Sequence, residues 1–204
     1  MLNKTQIKTM LVLQNQMNCT VDQNWVELNR NWLLAAAMEA AEAIGHHGWK
    51  WWKKQTPDME QLQMELIDIW HFALSNSIVE HGGLSDNLIE QISLSTDLLN
   101  TDPTNPPQLL GLLQMLLQCT SAGSFPIGLF FLCCKEAGLS QESLYKQYIG
   151  KNILNIFRQQ NGYKDGSYIK IWDGQEDNVH LVKIINTLDV NDPRFADNLM
   201  DALV

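Results

Sequence analysis

Apolar residues recur at intervals of three and four along almost the whole chain of 204 residues. This spacing places them on one face of an α-helix, whereas strands need strict alternation, of which the sequence has no convincing run. The pattern predicts helices at about 3–18, 22–46, 57–80, 85–99, 107–121, 127–138, 140–160, 178–188 and 193–203. We therefore expect an all-α fold, built as a multi-helix bundle.

Polar residues mark the ends of several of these helices. Asp58, which follows Pro57, and Ser140 are residue types that cap the first turn of a helix. The sequence "EHGG" at 80–83 is typical of a helix end, since glycine adopts the backbone conformation found there.

Two segments interrupt the helical pattern. The sequence "NTDPTNPPQ" (100–108) predicts a linker between a front helical layer (about 1–99) and the remaining helices (109–204) of one domain. The segment 161–178 is rich in Gly, Asp and Asn and predicts a long loop, a feature that is often functional in compact domains.

The charge and the cysteines exclude several classes of protein. A net charge of −9 argues against a nucleic-acid coat, which needs a broad basic face. The longest apolar run, "FPIGLFFLCC", is about ten residues and too short to span a membrane. The four cysteines form no CxxC motif and the first residues lack a secretory apolar core, so we expect reduced thiols and a cytoplasmic protein.

Two pairs of acidic residues lie in apolar helical segments. Glu39 and Glu42 stand in "AAAMEAAEAIG", and Glu65 and Asp68 stand in "MELIDIWHF". Each pair is spaced i, i+3, so both carboxylates project from one helix face. The alanines around the first pair permit close approach of another helix, and we expect the four carboxylates to face a cleft between helices.

Four carboxylates in one cleft repel one another. At a separation of ~6 Å and an effective dielectric of about 20, each pair costs roughly 3 kcal/mol. Such groups either take up protons or bind cations. A donor set made only of oxygen suits Mg²⁺ or Mn²⁺.

Two other interpretations of the acidic pairs remain open from the residues alone. Pairs at this spacing are common on solvated helix surfaces. A di-iron carboxylate bundle also places acids on facing helices, but it needs Glu-x-x-His twice. Here Asp68 and His71 give one Asp-x-x-His and the second motif is missing, so we expect His71 to be a packed residue.

Basic and aromatic residues accompany the acids. The segment "GWKWWKK" (48–54) joins the two acidic helices and carries Lys53. Lys151, Asn155 and Arg158 fall on one stripe of a later helix. Acids with a cation on one side and a basic stripe on the other predict a polyphosphate site. The alternatives are that the stripe is a solvated face and that the tryptophans cover the hairpin as core.

Four segments carry a resemblance to a known family: "LQNQMN", "EAAEAIGHHGWKWWKK", "ELIDIWHFALS" and "KNILNIFRQQNGYKDGSYIKIWDGQEDN". With them the chain resembles the dimeric, all-α dUTPases of the all-α NTP pyrophosphohydrolase (MazG-like) superfamily. The resemblance covers residues 10–180, with a looser middle at 85–140. The ExxE…ExxD pattern marks the superfamily only loosely, whereas WKWWK and the last segment are much more specific.

This resemblance implies a fold with a four-helix catalytic core and Mg²⁺ (or Mn²⁺) as cofactor. The metal ligands would be Glu39, Glu42, Glu65 and Asp68. Glu39 or Glu42 would also accept the proton of the attacking water and so serve as the catalytic base.

The resemblance also implies a nucleotide pocket. Gln14 and Asn18 match the uracil-contacting pair, since amides can both donate and accept hydrogen bonds. Trp51 and Phe72 match aromatic positions beside the base and the deoxyribose. The residues that bind phosphate or close over the nucleotide would be Lys53, Lys151, Asn155, Arg158, Tyr163, Lys164, Lys170 and Asn178.

The implied reaction is hydrolysis of dUTP to dUMP and pyrophosphate by a homodimer. It would limit uracil in DNA and supply dUMP for thymidylate synthesis; activity on dUDP stays open. The chain departs from the family at Met17, where leucine is usual, and lacks a glycine after Asn18. The alternatives are a MazG-like enzyme acting on dCTP or non-standard nucleotides, and a non-enzymatic helical oligomerisation protein.

Overall fold

The computed structural model describes residues 2–97, 108–190, 192 and 194–203, and it confirms the predicted all-α fold. The described helices are α1 Lys4–Val21, α2 Trp32–His47, α3 Met59–Glu80, α4 Asp86–Asp97, α5 Leu109–Ser121, α6 Ile127–Glu136, α7 Gln141–Gln160, α8 Asp177–Thr187 and α9 Phe195–Leu203. Two strands, β1 Ile171–Trp172 and β2 Gln175–Glu176, pair antiparallel.

Side chains cap the helices that the sequence predicted to be capped. Asp58 accepts a hydrogen bond from the backbone N–H of Gln61, and Ser140 accepts one from that of Ser143. These bonds satisfy backbone donors that have no partner within the first turn.

The helix predicted at 22–46 begins ten residues later than expected. Turns occupy residues 23–28, and Asn29 has a positive φ of 46°. Asp22 accepts from the backbone N–H of Asn24, and such local bonds compete with a helix. The apolar pattern continued through this segment because Trp25 is buried from a turn rather than from a helix.

The segment 161–178, predicted to be a long loop, is only partly irregular. It holds the β1–β2 hairpin and the first two residues of α8. Of the predicted linker 100–108, residues 100–107 lie outside the described residues, as does the predicted end of the helix at 98–99.

The hairpin of α2 and α3 forms the centre of the bundle. The backbone N–H of Asp58 donates to the carbonyl of His46 across the connection, so the two helices run antiparallel. The buried alanines Ala36, Ala40 and Ala43 let α2 pack closely on α3 and on α5. On the other side, α3 packs against α1 and α7, which also pack against each other. This arrangement brings α1, α2, α3 and α7 around one cleft.

Buried aromatic rings of α3 and α6 pack against each other in the core. Trp70 stacks on Phe130 with ring centroids 4.9 Å apart, and Phe131 meets it edge-on. None of the helices within the described part of the chain is long and apolar enough to cross a membrane.

Candidate active site

Three carboxylates converge between α2 and α3. Glu39, Glu42 and Glu65 each place one carboxylate oxygen within 4.8 Å of the others. Glu39 and Glu65 are half-buried, while Glu42 is exposed at the mouth of the cleft. The i, i+3 spacing on α2 aims two acids at α3, as the sequence predicted.

Asp68, the fourth predicted acid, lies beside this group and is bound by a lysine. Lys151 of α7 donates from Nζ to Oδ2 of Asp68 across 2.5 Å. Asp68 stands one helical turn after Glu65 on α3, and after burial its charge is the next largest cause of the raised pKa of both Glu39 and Glu65. At the end of α2, His46 contacts Glu65, with Nε2 3.4 Å from Oε1.

The cleft disfavours negative charge. Burial, with the neighbouring charges of Asp68, Glu65 and Glu42, raises the pKa of Glu39 to about 7. The pKa of Glu65 is raised for the same reasons, and burial raises the pKa of Asp68 although Lys151 opposes it. Groups in this state bind protons or cations readily. Carboxylate oxygens are the ligands that Mg²⁺ and Mn²⁺ prefer, so the donor set fits such an ion.

Gln14 and Asn18 lie buried in a polar network between α1 and α3. Gln14 donates from Nε2 to Oδ1 of Asn18 at 3.1 Å and to Oγ of Ser75 at 3.0 Å. Asn18 donates from Nδ2 to the same Ser75 oxygen at 2.9 Å. The structure therefore brings the two predicted base-contacting residues together, and it adds Ser75, which the sequence analysis did not single out.

The network continues to α7. Tyr148 donates its hydroxyl to Oε1 of Gln14 at 2.6 Å, and Nδ1 of His71 lies 2.9 Å from the same oxygen. The His71 ring stacks on Tyr148, and burial lowers its pKa to about 3, so it is neutral. His71 is thus a packed residue, as expected, and the ring is hydrogen-bonded to Gln14.

Arg158 anchors the segment that follows α7. Its guanidinium binds Asp177 at two points, Nε to Oδ2 at 2.8 Å and Nη2 to Oδ1 at 2.7 Å. It also donates to Oδ1 of Asn155 at 3.1 Å and to Oδ1 of Asn178 at 3.4 Å. The predicted residues Asn155, Arg158 and Asn178 therefore form one cluster, and its anionic centre, Asp177, is a residue that the sequence analysis missed.

The predicted aromatic residues lie apart. Trp51 is 89% exposed and meets Trp52 edge-on. Phe72 is half-buried and packs on Trp32, with ring centroids 6.3 Å apart. Trp32 is the first residue of α2 and another aromatic neighbour that sequence reasoning did not identify.

The remaining predicted phosphate-binding residues lie at the surface. Lys53 is exposed in the tryptophan segment. Lys170 places Nζ 5.3 Å from the ring centroid of Tyr163, a cation–π contact. Lys164 donates from Nζ to the backbone carbonyl of Val21 at 3.0 Å, at the end of α1.

The chain matches the model of a known protein family. The family model for dUTPases matches residues 6–163, a span that includes both acidic pairs, the tryptophan segment and all of α7. Among curated proteins, no match was found.

Proposed function

The chain belongs to the dUTPase family and is a dUTP diphosphatase, and on this premise we propose that it hydrolyses dUTP in the cleft between α2, α3 and α7 with Mg²⁺ as cofactor. Family membership confirms the resemblance drawn from the sequence motifs. The observation that carries the proposal is the convergence of Glu39, Glu42 and Glu65, with Asp68 beside them.

The four acids would hold the divalent cation. Glu39, Glu42 and Glu65 offer oxygens close enough together to share one ion, and Asp68 can join them when Lys151 turns to another anion. When bound, the cation would neutralise phosphate charge and lower the pKa of the attacking water, so that a carboxylate could remove its proton near neutral pH. Mn²⁺ fits the same oxygen donors.

A carboxylate of α2 accepts the proton of the attacking water. Glu39 and Glu42 both project into the cleft, where either carboxylate can reach a water held beside the cation. A base positioned within hydrogen-bonding reach of the water removes its proton as the water attacks phosphorus. The products are dUMP and pyrophosphate.

Basic, amide and tyrosine side chains would bind the phosphates or close over the nucleotide. We assign this role to Lys53, Lys151, Asn155, Arg158, Tyr163, Lys164, Lys170 and Asn178. The charge of Arg158 is balanced by Asp177, so its main contribution is to hold Asn155 and Asn178 in place. Lys53 is exposed and can turn to the triphosphate.

The nucleoside occupies the neighbouring end of the cleft. Gln14 and Asn18 would line the edge of uracil, with Asn18 making the hydrogen bonds to the base, and Trp51 and Phe72 would close on the base and the deoxyribose when the nucleotide binds. Once closed, these rings would leave no room for a 2′-hydroxyl or a thymine methyl group. In the cell, the reaction limits uracil in DNA and supplies dUMP for thymidylate synthesis, and we place it in a cytoplasmic homodimer.

Substrate comparison tests this proposal. Turnover of dUTP, dCTP, dTTP and UTP is measured with Mg²⁺, with Mn²⁺ and with EDTA. A pocket of paired hydrogen bonds rejects a mismatched base by a factor on the order of 10⁴, so dUTP should be strongly preferred. EDTA should abolish turnover. Equal turnover of dCTP would support the MazG-like alternative, and turnover that persists in EDTA would refute the metal site.

A further inference from the structure

The hydroxyl of Ser75 lies between the two amides of the base pocket and fixes their direction. Ser75 donates its single hydrogen to the backbone carbonyl of His71 at 3.0 Å. Its oxygen can therefore only accept from other groups. It accepts hydrogen bonds from Nε2 of Gln14 and from Nδ2 of Asn18, so both amide nitrogens must point at it.

The opposite end of the network agrees with this direction. With the nitrogen of Gln14 facing Ser75, its carbonyl oxygen faces α7 and needs donors. Tyr148 supplies its O–H, and neutral His71 supplies hydrogen on Nδ1. With the amides in this direction every bond of the chain joins a donor to an acceptor, and the Tyr148 hydroxyl, which also lies 3.3 Å from the carbonyl of Met10, is nearest to Oε1 of Gln14.

The bonds leave hydrogen-bonding capacity on only one of the two amides. Gln14 uses both N–H groups, on Asn18 and Ser75, and its carbonyl oxygen faces Tyr148, His71 and, at 3.4 Å, Nδ2 of Asn152. Within the described part of the chain, Asn18 uses one N–H and one lone pair. Asn18 therefore retains one donor and one acceptor for a ligand.

The direction of the Asn18 amide decides which base it fits. Uracil offers an acceptor at position 4 and a donor at N3, whereas cytosine offers a donor at position 4 and an acceptor at N3. An amide turned one way pairs with uracil, and the same amide turned over pairs with cytosine.

We propose that Ser75 is a specificity-determining positioning residue: acting through Gln14 and Asn18, it holds the amides in the direction that accepts uracil and rejects cytosine. This rests on the proposed function of the site. Ser75 need not touch the base, because it acts on the orientation of Asn18.

Ser75→Ala tests the proposal, with Ser77→Ala as its matched control. Both serines lie on α3 and donate to the carbonyl four residues earlier, but only Ser75 accepts from the amides. In Ser75→Ala the amides can turn over. We expect the dUTP/dCTP ratio of kcat/KM to fall about tenfold or more, which corresponds to the loss of about one hydrogen bond.

The values of kcat/KM for the two nucleotides distinguish a positioning role of Ser75 from a general structural role. A positioning role requires kcat/KM for dCTP to rise, mainly through a lower KM, while that for dUTP falls. A merely structural role would lower both. An unchanged ratio in folded Ser75→Ala, or the same change in Ser77→Ala, would overturn the proposal.

Two further measurements keep the test decisive. Nitrogen-15 NMR of wild-type protein should find His71 with hydrogen on Nδ1; hydrogen on Nε2 alone would overturn the inferred direction even if Ser75→Ala fails to fold. Asn18→Ala should also lower the dUTP/dCTP ratio. If Asn18→Ala lowers the dUTP/dCTP ratio and Ser75→Ala leaves it unchanged, only the role of Ser75 is refuted. If neither variant lowers the ratio, the base pocket of the proposed function is refuted as well.

Discussion

Lys151 and Asp68 form an ion pair across 2.5 Å, joining α7 to α3 beside the carboxylate cluster. Both side chains are mostly shielded from water, with exposed fractions of 14% and 24%. The lysine supplies the positive charge that the carboxylate cluster needs in the absence of a cation. The pair therefore links the stability of the bundle to occupancy of the cleft.

Lys151→Met should destabilise the cation-free protein and should destabilise it less when Mg²⁺ is present. Removing one partner of a shielded pair leaves a buried charge and costs about 3 kcal/mol or more. A bound cation would take over part of the lysine's role. Urea unfolding with EDTA and with Mg²⁺ measures the difference.

Lys4→Met is the control for this prediction, because Lys4 pairs with Glu90 at the surface. Exposed pairs contribute about 0–1 kcal/mol. A Lys151→Met variant whose loss of stability is the same with and without Mg²⁺ would contradict the link to the cation.

Glu42→Ala and Asp68→Ala should abolish turnover of dUTP while the helical content stays near wild type. Each removes a carboxylate of the cleft, and loss of a base alone lowers the rate by about 10²–10⁴-fold. Steady-state assays and far-UV circular dichroism measure the two properties. Glu60→Ala, on the exposed first turn of α3, should retain activity. Near-normal activity of both cleft variants would refute the metal-site assignment.

The cation-free protein should lose stability as the pH rises from about 4.5 to about 7. The pKa of Glu39 is about 7 in the folded protein and has an ordinary value of 4.5, so the folded state binds the proton more tightly. Between these values the folded state holds more protons than the unfolded state, and the free energy of unfolding falls as the pH rises.

Thermal unfolding in EDTA, measured at steps across this range, checks the pH effect. Glu39→Gln has no titrating group at position 39, so its stability should change less with pH over this range. Mg²⁺ should restore stability near pH 7 in the wild type by neutralising the same charges. A wild-type profile that rises through this range, with no difference from Glu39→Gln, would show that Glu39 does not carry the effect.

Asp177→Asn should lower the free energy of unfolding by about 3–5 kcal/mol, because it leaves the buried Arg158 charge without its carboxylate. Chemical denaturation measures this loss. Asp173→Asn is the control, since Asp173 is exposed in the turn of the β1–β2 hairpin just before α8 and its positive φ of 47° suits asparagine. Similar stabilities for the two variants would mean that the pair contributes little.

Binding of a non-hydrolysable dUTP analogue should move the tryptophan emission to shorter wavelength. Trp51 is 89% exposed, and packing against a nucleoside would remove it from water. Trp51→Phe should abolish most of the shift. Trp49→Phe, which alters a neighbouring indole of the same segment, should retain it. A full shift in Trp51→Phe would place the base elsewhere.

Much of the fold follows from local sequence. Asp58 and Ser140 cap helices because a side-chain oxygen can reach a backbone N–H only three residues away. The late start of α2 was missed because Trp25 continues the apolar spacing from a turn. The hairpin at 171–176 was missed because its two-residue strands are too short to show alternation.

The candidate site divides in the same way. The sequence by itself determined which acids share a helix face. Glu39 and Glu42 are three residues apart, and the period of the α-helix alone makes their side chains project from the same side. Only the tertiary structure decided that Lys151 binds Asp68, that Asp177 holds Arg158 and that Ser75 receives the amide of Gln14. Residues far apart in the chain meet through the packing of whole helices, and no local spacing encodes which side chains that packing brings within hydrogen-bonding distance.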